Sequence, residues 1–114
     1  MAKKLGASGA SVVVNDLDAK PADETVEIIN QNGGAAVPLY GSITSDGFGK
    51  KAIECMLDNF GGVDIIVNNA GYIWNSSIHK TSDEQWEAMI ACHATAPFKI
   101  LRAASQFIRN AATR

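Results

Sequence analysis

Only two cysteines occur in 114 residues, Cys55 and Cys92. They lack metal-site spacing and both fall inside helical patterns, so two buried free thiols are expected rather than a disulfide or a zinc centre. Neither sign of charge predominates. Ten Lys and Arg stand against twelve Asp and Glu, a net charge of −2 with the signs dispersed. That excludes the basic footprint of a nucleic-acid binder and a polybasic membrane patch. No apolar run approaches the roughly 20 residues needed to cross a bilayer. The opening Met1-Ala-Lys-Lys-Leu-Gly has no apolar core of a secretion signal, so cytoplasm is the expected location. What is present is 46% hydrophobic residues. This suits a globular α/β chain, and the length suits one domain over residues 1–114.

The pattern alternates between strand and helix. Val12-Val13-Val14 is a β-branched run ending at Asn15-Asp16. A helix is expected from Asp18 or Ala19, with Pro21 in its first turn, an apolar stripe of Ala22, Val26 and Ile29, and a stop at Asn32-Gly33-Gly34. Residues 35–39 form a short strand whose Pro38 points to an edge position. Ser45 is placed to cap the next helix, with Phe48, Ala52, Cys55 and Met56 on one face and Gly61-Gly62 as its end. Val63, Ile65, Ile66 and Val67 lack period-two alternation, which predicts a strand covered on both faces. Ser82-Asp83-Glu84-Gln85 is a capping box, opening a helix that carries Trp86, Met89, Ile90, His93, Pro97 and Leu101 and runs to Arg109, bent at Pro97. The alternation predicts a doubly wound α/β sheet. Ligands of such sheets sit beyond the carboxyl ends of the strands.

One stretch lies at such an end: Gly61-Gly62-Val63-Asp64, then Ile65-Ile66-Val67, then Asn68-Asn69-Ala70-Gly71. The amides can bond backbone groups that the sheet leaves free, and Ala70 and Gly71 allow a flat ligand close to the main chain. This stretch resembles the Asn-Asn-Ala-Gly motif of the short-chain dehydrogenase/reductase family and its approach. The resemblance runs from Leu5 to about Arg109 and is strongest toward the 3-oxoacyl-carrier-protein reductase branch. It implies a partial Rossmann-like, doubly wound parallel sheet with three strands and three main helices, truncated at both ends. The family's first strand and C-terminal half are the parts left out. It also implies that Met1–Leu5 is the last turn of the family's first helix, stopped by Gly6.

The resemblance further implies NAD(P)-dependent oxidoreductase chemistry. Asp16, just past a strand, matches a carboxylate that bonds the adenosine ribose and repels a 2′-phosphate, which favours NAD over NADP. As a plain residue, Asp16 reads equally as a turn aspartate ahead of Asp18 and Pro21. Ser42 stands where the family places an adenine-binding aspartate, and it also reads as a turn leading into a helix. Asn69, Ala70 and Gly71 match the cofactor-contacting turn. His93 replaces an asparagine of the family's proton relay, and its plain reading is a packed histidine on a helix face. His79 reads as a solvent-exposed loop residue.

Two parts of the family's chemistry are absent. No glycine-rich pyrophosphate loop follows a first strand. Gly6-Ala7-Ser8-Gly9 does not replace it, since no strand precedes it and no helix N-terminus follows to meet a phosphate. No tyrosine stands four residues before a lysine: residue 44 follows Tyr40 as Thr, and residue 76 follows Tyr72 as Ser. No catalytic residue is therefore assigned, no turnover is expected, and NAD is expected to bind poorly to these residues alone. The missing strand would lie between Val12–Val14 and Val63–Val67. Either the latter slides against the former or a partner chain fills the gap. Marginal stability in isolation follows. The alternative function is a non-catalytic interaction module that pairs with an intact family member through the 82–109 helix. Homo- or hetero-oligomers with relatives are the expected partners. Substrate and oligomeric state are not encoded in these residues.

Overall fold

The computed structural model describes residues 1–69 and 77–112, so Ala70 and Gly71 lie outside the described residues. A short helix α1 (Ala2–Ala7) leads into strand β1 (Ser11–Asp16), helix α2 (Ala19–Gln31) and strand β2 (Ala35–Tyr40). Helix α3 (Phe48–Phe60) follows. Beyond the segment 62–69 and a 3₁₀ turn (Ile78–Lys80), a long helical stretch begins. It comprises α4 (Asp83–Ile90), a π-helical turn (Ala91–Thr95) and α5 (Ala96–Ala112). The chain is α/β, and β1 and β2 are parallel with Ser11 opposite Ala35 and Asp16 opposite Tyr40.

The sheet among the described residues has two strands, not the expected three. Residues 62–69 carry no regular structure. They neither slide against β1 nor join β2. A strand exists only by bonding a neighbour about 4.8 Å away, and this segment has none. Side-chain packing holds it instead. Val63 is 2% exposed and packs with Ile53 of α3 and Ala104 of α5. Ile66 touches that cluster and also the cluster of Leu39, Phe48 and Ile100. Ile65 and Val67 stay 67% and 46% exposed, so the expected cover on both faces is missing.

Helix α2 follows the sequence pattern, with Ala22 and Ile29 buried and Val26 half-buried. Pro38 sits in β2 opposite Val14, and β2 is bonded to a single neighbour. At the start of β2, the Asn30 side chain accepts from the Ala36 N–H at 2.9 Å and donates to the Ala36 carbonyl at 3.2 Å. This imitates a strand contact and blunts the edge.

Several local expectations shift by a few residues. Gly6 does not stop α1 but lies buried within it, because a Cβ there would come within 2.6 Å of Ile29 Cγ2. The stop is Gly9, at φ 96°, with its N–H on the Gly6 carbonyl and the Ala10 N–H on Leu5, a Schellman end. Ser45 does not cap α3. Its hydroxyl donates to the Ser42 carbonyl inside a turn, and Gly47 in the left-handed region precedes Phe48. Of the two thiols, Cys92 is buried and Cys55 half-buried, and neither is in a disulfide.

The capping box is present: Ser82 Oγ accepts the Gln85 N–H at 3.1 Å and Gln85 Oε1 accepts the Ser82 N–H at 3.0 Å. Pro97 was expected to bend the long helix. The accommodation comes just before it, as the π-turn, where the Ala96 N–H reaches the Ala91 carbonyl. The buried face of this helix is Cys92, Ala96, Ile100 and Ala104. Small residues let α5 approach α3 closely: a Cβ on Gly49 would lie 2.9 Å from the Lys99 carbonyl oxygen. The larger apolar residues face out, with Trp86 59%, Ile90 40%, Phe98 58% and Leu101 48% exposed.

Candidate functional site

The candidate site lies at the carboxyl ends of β1 and β2, where register alone brings two sequence-distant residues together. Asp16 ends β1 opposite Tyr40, and the next N–H, that of Gly41, donates to the Asp16 carbonyl at 3.0 Å. Ser42 follows Gly41 in the turn that leaves β2. Asn15 fixes this corner, since its Nδ2 donates to the Leu39 and Gly41 carbonyls at 2.8 and 3.1 Å. Its signal in the sequence is faint: an amide that ends a β-branched run.

Asp16 is half-buried, and one of its carboxylate oxygens accepts the Asp18 N–H at 3.1 Å. The turn reading of Asp16 is therefore realised. It leaves capacity for a ligand, because an ionised carboxylate has about four acceptor positions. Ser42 suits a ligand less well. Its Oγ lies 2.7 Å from Thr44 Oγ1 and accepts the Thr44 N–H at 3.2 Å, so the hydroxyl is engaged in a turn. Asn69 is exposed at the end of the segment anchored by Val63 and Ile66. His93 lies in the π-turn and is exposed, so the packed-histidine reading is not what the fold shows. His79 is exposed, as expected.

Sequence reasoning missed Tyr40 and Asp23. Tyr40 shares a strand face with Asp16, and its hydroxyl donates to Asp23 Oδ1 of α2. Nothing in the sequence pairs residues 17 positions apart. The bond to Asp23, then partial burial, then the Asp23 charge raise the phenol above its usual 10. A raised phenol stabilises the fold fully below pH 10, and that contribution fades as pH rises through the folded-state value. In Asp23→Asn, the phenolate absorbance of Tyr40 is expected to develop at lower pH than in the parent. The stability difference between the two proteins is expected to shrink above pH 10.

A second concavity, of about 550 Å³, runs between α3 and α5, and none of Asp16, Ser42 or Asn69 lines it. Among the described residues, no group of three or more His, Cys, Asp or Glu could hold a metal ion, and no helix is long and apolar enough to cross a membrane.

The family model for short chain dehydrogenase matches residues 1–113. The chain belongs to the short-chain dehydrogenase family. Among curated relatives, it is 40% identical over 111 residues to peroxisomal multifunctional enzyme A of Dictyostelium discoideum, covering 90% of this chain and 24% of that protein. It is 35% identical over 106 residues to glucose 1-dehydrogenase 2 of Bacillus subtilis, covering 91% and 41%. Among solved structures, a metagenomic short-chain oxidoreductase in complex with NADP aligns with a TM-score of 0.88 at 30% identity, over 96% of this chain and 50% of that one. A short chain dehydrogenase from Mycobacterium avium aligns with a TM-score of 0.89 at 31% identity, over 98% and 42%. The chain thus spans half or less of the length of these relatives, and its Rossmann-like α/β fold is theirs. Membership of this dehydrogenase family is shown, whereas nothing in the matches singles out the 3-oxoacyl-carrier-protein reductase branch.

Proposed function

We propose that residues 1–114 form one partial domain carrying the adenosine side of a nicotinamide-cofactor site, within an oxidoreductase lineage that acts on alcohols and carbonyls. The observation that carries this reading is the strand-end corner, where the register of β1 and β2 sets Asp16 opposite Tyr40 and bonds its carbonyl to the Gly41 N–H. In this reading Asp16 accepts from the ribose hydroxyls, and Ser42, Asn69, Ala70 and Gly71 line the approach. The Asp16 charge opposes a 2′-phosphate, so NAD is favoured over NADP. When bound, the nicotinamide supplies hydride transfer.

No residue here can exchange the accompanying proton through a lysine-tuned tyrosine, and no glycine-rich loop holds the pyrophosphate. The isolated chain is therefore expected to bind NAD in the millimolar range, to bind NADP about tenfold more weakly, and to turn over neither. Calorimetric titration of the parent and of Asp16→Asn, alongside a hydride-transfer assay, tests this. Loss of the NAD preference in Asp16→Asn supports the reading. Clear dehydrogenase turnover by the purified chain overturns the inactive form of it. A cytoplasmic location belongs to the same proposal.

A second reading is favoured by the outward face of the long helix. In an uninterrupted α-helix, Phe98 would lie about 120° around the axis from Trp86. The extra residue of the π-turn reduces this to about 20°, bringing Trp86, Ile90, Phe98 and Leu101 close to one line. We propose this exposed line as the surface through which the chain pairs with a family member. Co-purification with a full-length relative should be lost in Trp86→Glu combined with Leu101→Glu. Both residues are exposed, so neither change disturbs the core.

A further inference from the structure

The concavity between α3 and α5 is separate from the strand-end corner and has a composition of its own. Its floor is apolar, with Phe48 5% and Ile53 6% exposed. Its rim carries Lys50, Lys99 and Arg102 against a single carboxylate, Glu54, in a chain whose net charge is −2. Glu54 is partly answered by Lys50, one helical turn before it, at 3.9 Å. Lys99 and Arg102 on α5 share the groove with that one carboxylate, which lies on α3. The Arg102 guanidinium lies 5.0 Å from the centroid of the Phe98 ring, which sets it at the rim rather than across the opening. The volume, about 550 Å³, falls in the range of small-molecule sites, roughly 300–1,000 Å³.

We propose that this groove binds a small amphipathic anion, with an alkyl chain along the Phe48–Ile53 floor and a carboxylate at Lys99 and Arg102. An apolar floor alone would accept any oily molecule. The excess of two positive charges on the rim selects for an anion, because ionic hydrogen bonds are roughly twice as strong as neutral ones. The floor lies between α3 and α5, where an alkyl chain would contact Phe48 and Ile53.

Decanoate, with decanol as its neutral counterpart, tests the proposal by amide NMR of the full chain. Saturable shifts are expected at Gly49, Ile53 and Ala103. Affinity should fall about tenfold with decanol, and about tenfold with decanoate in Lys99→Gln combined with Arg102→Gln. Both replaced residues are exposed, so a well-dispersed spectrum is expected from the variant. Equal responses to decanol and decanoate overturn the anion assignment. Shifts centred on Trp86 and Leu101 place the binding on the outer helix face and overturn the groove assignment. No response up to the solubility of decanoate, or a chain without dispersed amides, removes the proposal. None of these outcomes depends on whether NAD binds at Asp16.

Discussion

Val63→Asp is expected to abolish cooperative unfolding, while Ile65→Asp leaves the transition within about 0.5 kcal/mol of the parent. The two positions are two residues apart in a run that reads as one buried strand. Had that strand formed with cover on both faces, an aspartate at either position would be comparably damaging. In the fold, Val63 is 2% exposed against Ile53 and Ala104, and Ile65 is 67% exposed. A carboxylate at 63 would lose its water with no donor to replace it, costing several kcal/mol. A small domain has little more than about 5 kcal/mol to lose. Val63→Ala, which removes only two methyl groups, should keep a transition lowered by about 1–3 kcal/mol. Urea titrations followed by circular dichroism distinguish the three variants. Equal damage at 63 and 65 would show that residues 63–67 are covered on both faces after all.

Gly49→Val should lower stability by about 3 kcal/mol through the contact of α3 with α5. A Cβ at this position would lie 2.9 Å from the Lys99 carbonyl oxygen, 3.1 Å from its carbon and 3.3 Å from the Ile100 Cα. These are backbone atoms of a helix, so no side chain can swing aside. The helices must separate, and the Ile53, Val63 and Ala104 cluster between them loosens. Gly49→Ala is the informative companion. Alanine favours a helix over glycine by about 1 kcal/mol, so the cost of the clash is the net loss plus that gain. A urea midpoint unchanged in Gly49→Val would mean that the two helices are not held at this distance.

Much of the fold is legible because it rests on local chemistry. The Ser82–Gln85 box, the β-branched run of β1 and the Ala22–Ile29 stripe each sit where short-range patterns put them. The segment at 63–67 misleads because apolar character records a need for burial, not the identity of the covering surface. The long helix misleads in a related way. Its large residues trace the most visible stripe, yet the packed face is Cys92, Ala96, Ile100 and Ala104, where small side chains permit a close crossing. Asp16 could be singled out by its place after a strand. Tyr40 and Asp23 could not, since a bond between α2 and β2 depends on how a helix lies over a sheet.

The sequence by itself determined the family, the order of elements as far as α3, and the lack of a lysine-paired tyrosine, because motifs and caps act over a few neighbouring residues. Tertiary structure alone decided that residues 62–69 stay outside the sheet, that Asp16 lies opposite Tyr40, and that Trp86 and Leu101 face outward. Each of those outcomes depends on which surfaces find a neighbour, and ladder bonds and burial are properties of pairs of segments rather than of one.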